Sequence, residues 1–400
     1  MQPQLHFLLT SPSLGIANSI ISLCVLLIWA GLIMMLILGS RHYPKLSSVK
    51  FTNSDMTSLP KLSIIVAACN EATTVEQGMR SLLQINYSSL EIIAVNDRST
   101  DTTGEILEKL ASEDSRLKVI HINKLPDGWL GKNHALQTAA EIATGEWILF
   151  TDADVIFAPS ALRKAVAFAV KRKFDHLVVT PSCDTRSFWE KLFVSYFGLM
   201  FCFRVRLWDI QKPSKPDSYV GIGAFNLVRS EAYRKFGGHR ALPMEVADDV
   251  KLGKVIKQNG FRTCLLNGGD LLSVRWVSGL DGVVNSLSKN AFAGFEYRLL
   301  AEIGGILTLA ITSLYPVVAL LSPNIHARVE ALSTLLCMML GAGLVKTLSG
   351  AGARYGVAYP LACLLLIYII IRSTVIAYRQ DGIIWRGTRY PLDELRRGVV

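Results

Sequence analysis

An α/β domain with a doubly wound sheet, flanked by apolar segments of membrane-crossing length, is the fold class this sequence predicts, on three observations. Short apolar runs alternate with segments of helical periodicity between residues 61 and 300, the pattern of strand-helix-strand units. The first 40 residues carry no Lys, Arg, Asp or Glu, and three further apolar stretches follow residue 300. Two carboxylates, Asp152 and Asp154, come directly after the apolar run Trp147, Ile148, Leu149 and Phe150, which reads as a buried strand opening into a crevice at its carboxyl end.

Taken in chain order, the charge-free start ends in roughly 25 residues long enough to span a bilayer. Arg41, His42, Lys45 and Lys50 follow at once. A signal peptide would carry its positive charge ahead of the apolar region, so residues 1–45 read as a retained anchor whose basic flank places the next domain in the cytoplasm. Leu62, Ile64, Ile65 and Val66 predict a first parallel strand, and residues 91–95 a second. Val75, Met79, Leu82 and Leu83, then Ile106, Leu107 and Leu110, predict the helices that alternate with them. Residues 60–300 are expected to form the α/β domain, with interfacial helices near 188–208 and 278–296.

The later apolar stretches run over about residues 303–321, 331–348 and 357–378, and residues 379–400 read as a basic tail. Four crossings would put the tail outside, whereas Arg379, Arg386, Arg389, Arg396 and Arg397 favour inside. The stretch interrupted by Lys346 and followed by Ser349-Gly350-Ala351-Gly352 is the candidate for a re-entrant segment.

Half of the 400 residues are hydrophobic and only 18% are charged, which excludes an ordinary soluble enzyme of this length. The net charge of +10 belongs to no recognised nucleic-acid module, and attraction to anionic lipid headgroups accounts for it. Seven scattered cysteines without Cys-x-x-Cys spacing indicate neither a zinc site nor a disulfide framework. The apolar segments also lack the inverted repeat of a transporter.

Several constellations fall at predicted strand ends. Glu71 follows the first strand, and Asp97 leads Arg98-Ser99-Thr100-Asp101 after the second. Such an Asp accepts a hydrogen bond from a base N–H, although taken alone an Asp there is more often a cap or turn residue. Gly128, Gly131 and Lys132 ahead of a helical run suit a backbone and a cation approaching a phosphate. Thr151-Asp152-Ala153-Asp154 is either a solvated turn or a site for a hard cation bridging protein and diphosphate. Asp248 and Asp249 precede a helix, which N-capping alone explains, and Arg275 with Trp276 precedes another.

The order of these motifs, with Val220-Gly221-Ile222-Gly223-Ala224-Phe225 between them, resembles a membrane-bound family 2 glycosyltransferase with a GT-A domain, over roughly residues 62–295. Within that family the chain looks most like enzymes that glycosylate a lipid once, such as ceramide glucosyltransferases and hopanoid- or carotenoid-associated glycosyltransferases; Trp385-Arg386-Gly387-Thr388-Arg389-Tyr390 is similar to that group too. The resemblance implies a hexosyltransferase of the bacterial inner (plasma) membrane, with a nucleotide-sugar donor, expected to be a UDP-sugar, and Mg2+ or Mn2+. It implies that Asp97 contacts the base with Glu71 nearby, that Lys132 faces the phosphates, that Asp152 lies near ribose and phosphates, and that Asp154 ligates the metal with Asp152. Asp249 matches the family's general base, Asp248 stands where Glu is usual, and Arg275 and Trp276 match the end of a Gln-x-x-Arg-Trp motif. Leu272 replaces the first residue of that motif, which tells against polymer synthesis.

The chemistry agrees with these residue types. Transfer from a nucleotide sugar passes through an oxocarbenium-like state, and Lys132, Arg275 and a metal can stabilise the departing diphosphate. A single displacement with Asp249 as base inverts the anomeric centre. The aromatic stretch from Phe188 to Trp208 suits an interfacial helix beside a lipid acceptor or, alternatively, a buried core helix. The competing functions are a processive polysaccharide synthase of the same fold and a non-catalytic membrane scaffold.

Overall fold

The computed structural model describes residues 12–51 and 59–400; the opening eleven residues of the expected anchor lie outside the described residues. Two compact units divide the chain: one holds residues 1–39, 185–204 and 277–375, the other residues 40–184, 205–276 and 376–400.

The second unit is the α/β domain. Its strands are β1 Leu62–Ala68, β2 Leu90–Asp97, β3 Leu117–Ile122, β4 Trp147–Asp152, β5 Ile156–Phe157, β6 His176–Thr180, β7 Ser182–Cys183, β8 Asn226–Arg229, β9 Thr263–Asn267, β10 Leu272–Val274, β11 Gly382–Trp385 and β12 Thr388–Pro391. Seven form one sheet in the order β3-β2-β1-β4-β8-β6-β9. Pairing is parallel from β3 through β4, antiparallel on both sides of β8, and parallel again at β9. The sheet is therefore mixed.

Alternate side chains of each strand enter different cores, as the two-residue strand period requires. Ile64 and Ile92 pack on one face with Val75, Met79 and Leu82 of the helix Val75–Leu83, while Ile65, Ile93 and Ile148 pack on the other with Ala135, Leu136 and Ile256. A sheet covered on both faces explains why the strands read as continuous apolar runs. The chain winds outward from β1 through β2 to β3, then returns to place β4 on the other side of β1. The carboxyl ends of β1 and β4 thus form the topological switch point, where sheets of this kind open a crevice.

The other unit is helical. Among the described residues, four helices are long and apolar enough to cross a membrane: Gly15–His42, Leu299–Ala319, Ile325–Leu344 and Ala353–Arg379. Polar bonds tie this unit together: Trp29 Nε1 donates to the Thr312 carbonyl at 2.9 Å between two of these helices, and Tyr196 of the helix Phe188–Val205 meets Ser313 at 2.9 Å. The stretch singled out as re-entrant overlaps a 20-residue helix of crossing length, Ile325–Leu344, that ends before Lys346.

The division of the chain differs from the expected boundaries, and residues 277–300, expected in the α/β domain, fall in the helical unit. The helix Phe188–Val205 falls almost wholly in the helical unit, where Leu192, Phe193, Tyr196 and Leu199 are fully buried and only part of its aromatic surface, such as Phe188, is exposed. Much of this helix is core because its aromatic side chains meet other apolar helices, Tyr196 against Tyr359 and Phe203 against Trp29. Residues 379–400, expected as a basic tail, fall in the α/β unit together with residues 376–378 and form the β11–β12 hairpin and the short helix Leu392–Arg397, burying Ile383, Tyr390, Leu392 and Leu395.

Candidate active site

Parallel pairing aligns the carboxyl ends of β1, β2 and β4, with Ala68 opposite Asn96 and Ala67 opposite Asp152. The loops leaving β1 and β2 are tied together. Asn70 Oδ1 accepts from the Thr100 amide at 2.8 Å, the Glu71 amide donates to Thr103 Oγ1 at 2.8 Å, and the Ala72 amide donates to Asp101 at 3.1 Å. The polar residues around Glu71 and Asp97 therefore hold two loops in register.

The turn bearing Asp152 and Asp154 is set by close backbone approach. A Cβ on Gly78 would lie 2.0 Å from the Ala153 carbonyl, and one on Gly223 would lie 2.4 Å from Asp152 Oδ2. Glycine is required where two segments pass this closely. The Asp152 amide also donates to the Gly223 carbonyl at 3.0 Å, while the Gly223 amide donates to Asp249 Oδ2 at 2.6 Å. One glycine thereby couples Asp152 to Asp249.

Lys132, at the start of the helix Gly131–Ile142, reaches Asp152 Oδ1 at 2.9 Å and Asp248 Oδ1 at 3.3 Å. Burial alone would lower its pKa, but the carboxylates of Asp152, Asp248 and Asp249 outweigh burial and raise it. The acids respond in turn. Burial raises the pKa of Asp248 and of Asp249 against the pull of Lys132, with Asp152 adding its charge to the upward push. Asp154 is pushed up to about 6 by burial, then by the negative charges of Asp152 and Glu71. Asp152, Asp154, Asp248 and Asp249 all interact with the Lys132 ammonium, and together with Glu71 they make an acidic crevice.

Such a crevice fits a divalent cation. The donors are all carboxylate oxygens, the preference of Mg2+ and Mn2+. Among the described residues no group of three or more ligating side chains converges on one point. A site with one or two protein carboxylates leaves coordination positions for phosphate oxygens, as Mg2+ sites commonly do.

The structure thus brings together Lys132, Asp152, Asp248 and Asp249, with Asp154 and Glu71 in their electrostatic field. Asp97 is buried at the end of β2, where both of its carboxylate oxygens accept from Arg98, at 2.8 and 3.0 Å. Arg275, at the end of β10, bonds to the Asp184 carbonyl at 3.2 Å and pairs with its carboxylate at 3.5 Å, and Trp276 follows it.

Sequence reasoning did not foresee the β11–β12 hairpin. Arg386 pairs with Glu71, Thr388 Oγ1 accepts from Arg98 at 3.0 Å, and the Tyr390 hydroxyl accepts from the Gly131 amide at 3.2 Å. Its available signal was Arg386-Gly387 between the apolar run Ile383-Ile384-Trp385 and Thr388-Arg389-Tyr390, a weak two-residue hairpin pattern.

Comparison with known proteins agrees with this architecture. The family described as Glycosyl transferase family 2 matches residues 63–237. The putative glycosyltransferase EpsE of Bacillus subtilis (strain 168) is 33% identical over 209 residues, covering 52% of this chain and 70% of that protein. A beta-monoglucosyldiacylglycerol synthase of Nostoc sp. (strain PCC 7120) is 33% identical over 220 residues, covering 53% of this chain and 42% of that protein. For the curated relatives that match most strongly, the chain spans only 33% to 42% of the relative's own length. The solved structure of the mannosyltransferase PcManGT from Pyrobaculum calidifontis, in complex with GDP-Man and Mn2+, has the same fold, with a TM-score of 0.54 at 18% identity over 88% of this chain and 99% of that one. The α/β unit is GT-A-like, and the chain belongs to glycosyl transferase family 2.

Proposed function

We propose that this protein is an inverting, metal-assisted glycosyltransferase that moves a sugar from a nucleoside-diphosphate sugar, expected to be a UDP-sugar, to a hydroxyl of a membrane lipid. The observation that carries the reading is the coupling of Lys132, Asp152, Asp248 and Asp249 at the switch point of the sheet.

Asp97 and Glu71 lie at the base end of the crevice and Lys132 at the diphosphate end. A Mg2+ or Mn2+ ion held by Asp154 and Asp152 would supply positive charge to the departing diphosphate. Lys132 adds a fixed, half-buried ammonium paired with acids that raise its pKa and keep it protonated. Asp249 takes the proton of the acceptor hydroxyl. Its carboxylate is oriented by the Gly223 and Val250 amides, and burial raises its pKa above the ordinary carboxylate value, which makes it a stronger base. Arg275 and Trp276 are assigned to the acceptor side of the reaction.

A lipid acceptor is supported by the four helices of crossing length and by the glycolipid-synthase relative. The same helices favour residence in the bacterial inner membrane with the α/β unit facing the cytoplasm, and Arg41, Lys45 and Lys50 after the first helix agree with that orientation.

Membranes containing the protein, incubated with a panel of nucleotide sugars and Mn2+, should yield a glycolipid of inverted anomeric configuration by mass spectrometry and NMR. Asp249→Asn should lower turnover by about 1,000-fold or more while leaving nucleotide affinity within about twofold. Retained turnover in that variant would remove Asp249 from the role of base.

A further inference from the structure

We propose that the hairpin of β11 and β12 is part of the donor site, with Arg386, Thr388 and Tyr390 acting as positioning residues for Glu71 and Asp97. The inference rests on the donor-site reading above and extends it to a segment about 290 residues away in sequence.

Three contacts place the hairpin at the base end. Arg386 pairs with Glu71 and also donates to the Asn70 carbonyl at 3.4 Å. Thr388 accepts from Arg98, whose other nitrogens hold both oxygens of Asp97. Tyr390 accepts the first amide of the Lys132 helix. A Cβ on Gly131 would come within 2.3 Å of Asp97 Oδ2 and 2.4 Å of Arg98 Nη2, so hairpin, helix start and Asp97 form one packed unit.

The backbone gives an independent sign. Among the described residues, eight non-glycine residues have positive φ, and Asn70, Arg98 and Arg386 are three of them. Arg386 and Gly387, at φ 50° and 78°, are the two loop residues between the paired Trp385 and Thr388, a position that favours Asn-Gly. Arginine is a costly choice in that loop, and a strained residue aimed at another element points to function. An exposed ion pair contributes too little stability to account for it.

Electrostatics supply the role. Arg386 and Arg98 set a cation on each of Glu71 and Asp97, and these charge-assisted bonds hold both carboxylates in place at the base end. The hairpin is anchored for this by burial of Ile383, Tyr390 and Leu392.

The test is calorimetric titration of the full chain in nanodiscs with UDP, GDP and inorganic pyrophosphate, each with Mn2+. Arg386→Ala and Tyr390→Phe should weaken binding of the preferred nucleotide by about tenfold and leave pyrophosphate within about twofold. Arg386→Lys should recover most of the loss. Asp97→Asn serves as the control on the donor-site reading. If it weakens nucleotide binding while the hairpin variants do not, the inference is overturned and the reading stands. Equal weakening of nucleotide and pyrophosphate, or tighter binding by the hairpin variants, also overturns the inference. If the wild-type chain binds no nucleotide, both fail together.

Discussion

Gly223 links the two acids on which the proposed chemistry depends, bonding to Asp152 through its carbonyl and to Asp249 through its amide. A methyl group there would overlap Asp152 Oδ2 at 2.4 Å, and since the neighbouring backbone is held by the same bonds, the side chain must move. Gly223→Ala should therefore lower glycosyl transfer by about a hundredfold, the scale of an ångström-sized misplacement, with little change in thermal stability. Turnover measured beside a melting curve checks it; a large fall in melting temperature with turnover per folded molecule preserved would contradict it. At this scale much was legible, because acids and lysines at strand ends are conspicuous in a chain with so few charges. Arg98 was not distinguishable from an ordinary turn residue, since its contact with Thr388, 290 residues away, exists only after β2 and the hairpin meet.

The elements carry a pH dependence of their own. His176 in β6 lies fully buried between β8 and β9, with Nε2 3.0 Å from Asn226 Oδ1 and Nδ1 3.3 Å from Thr263. Burial depresses its pKa to about 4, so the folded chain binds fewer protons there than the unfolded chain does. Stability from the neutral ring is complete above the unfolded value of about 6.5 and is lost as pH falls through the window down to about 4, a loss of up to about 3 kcal/mol. The melting temperature should fall from pH 7 to pH 4.5, and His176→Gln, which keeps an N–H for Asn226 without titrating, should flatten that slope. An unchanged slope would assign the acid sensitivity elsewhere. β1, β2 and β4 were readable from their apolar runs, whereas β5, β7 and β10 have two or three residues each, too few to show a period.

For the molecule as a whole, the four apolar helices predict behaviour in membranes. They expose Ile20, Leu27, Met34, Leu300, Leu307, Leu336 and Leu364, a surface that water would not tolerate in bulk. The chain should remain in the pellet after alkaline carbonate washing and enter solution only with detergent; recovery in the carbonate supernatant would rule out integral insertion. Composition and periodicity alone determined that there is an α/β domain, that apolar helices flank it, and which acids stand at its strand ends, because each is a property of neighbours along the chain. Tertiary structure alone decided that the Phe188 helix is largely core, that Lys132 bridges Asp152 and Asp248, and that Arg386 meets Glu71 from more than 300 residues away. Those outcomes depend on which surfaces meet when the sheet winds back on itself, and no local spacing encodes a contact between segments so far apart.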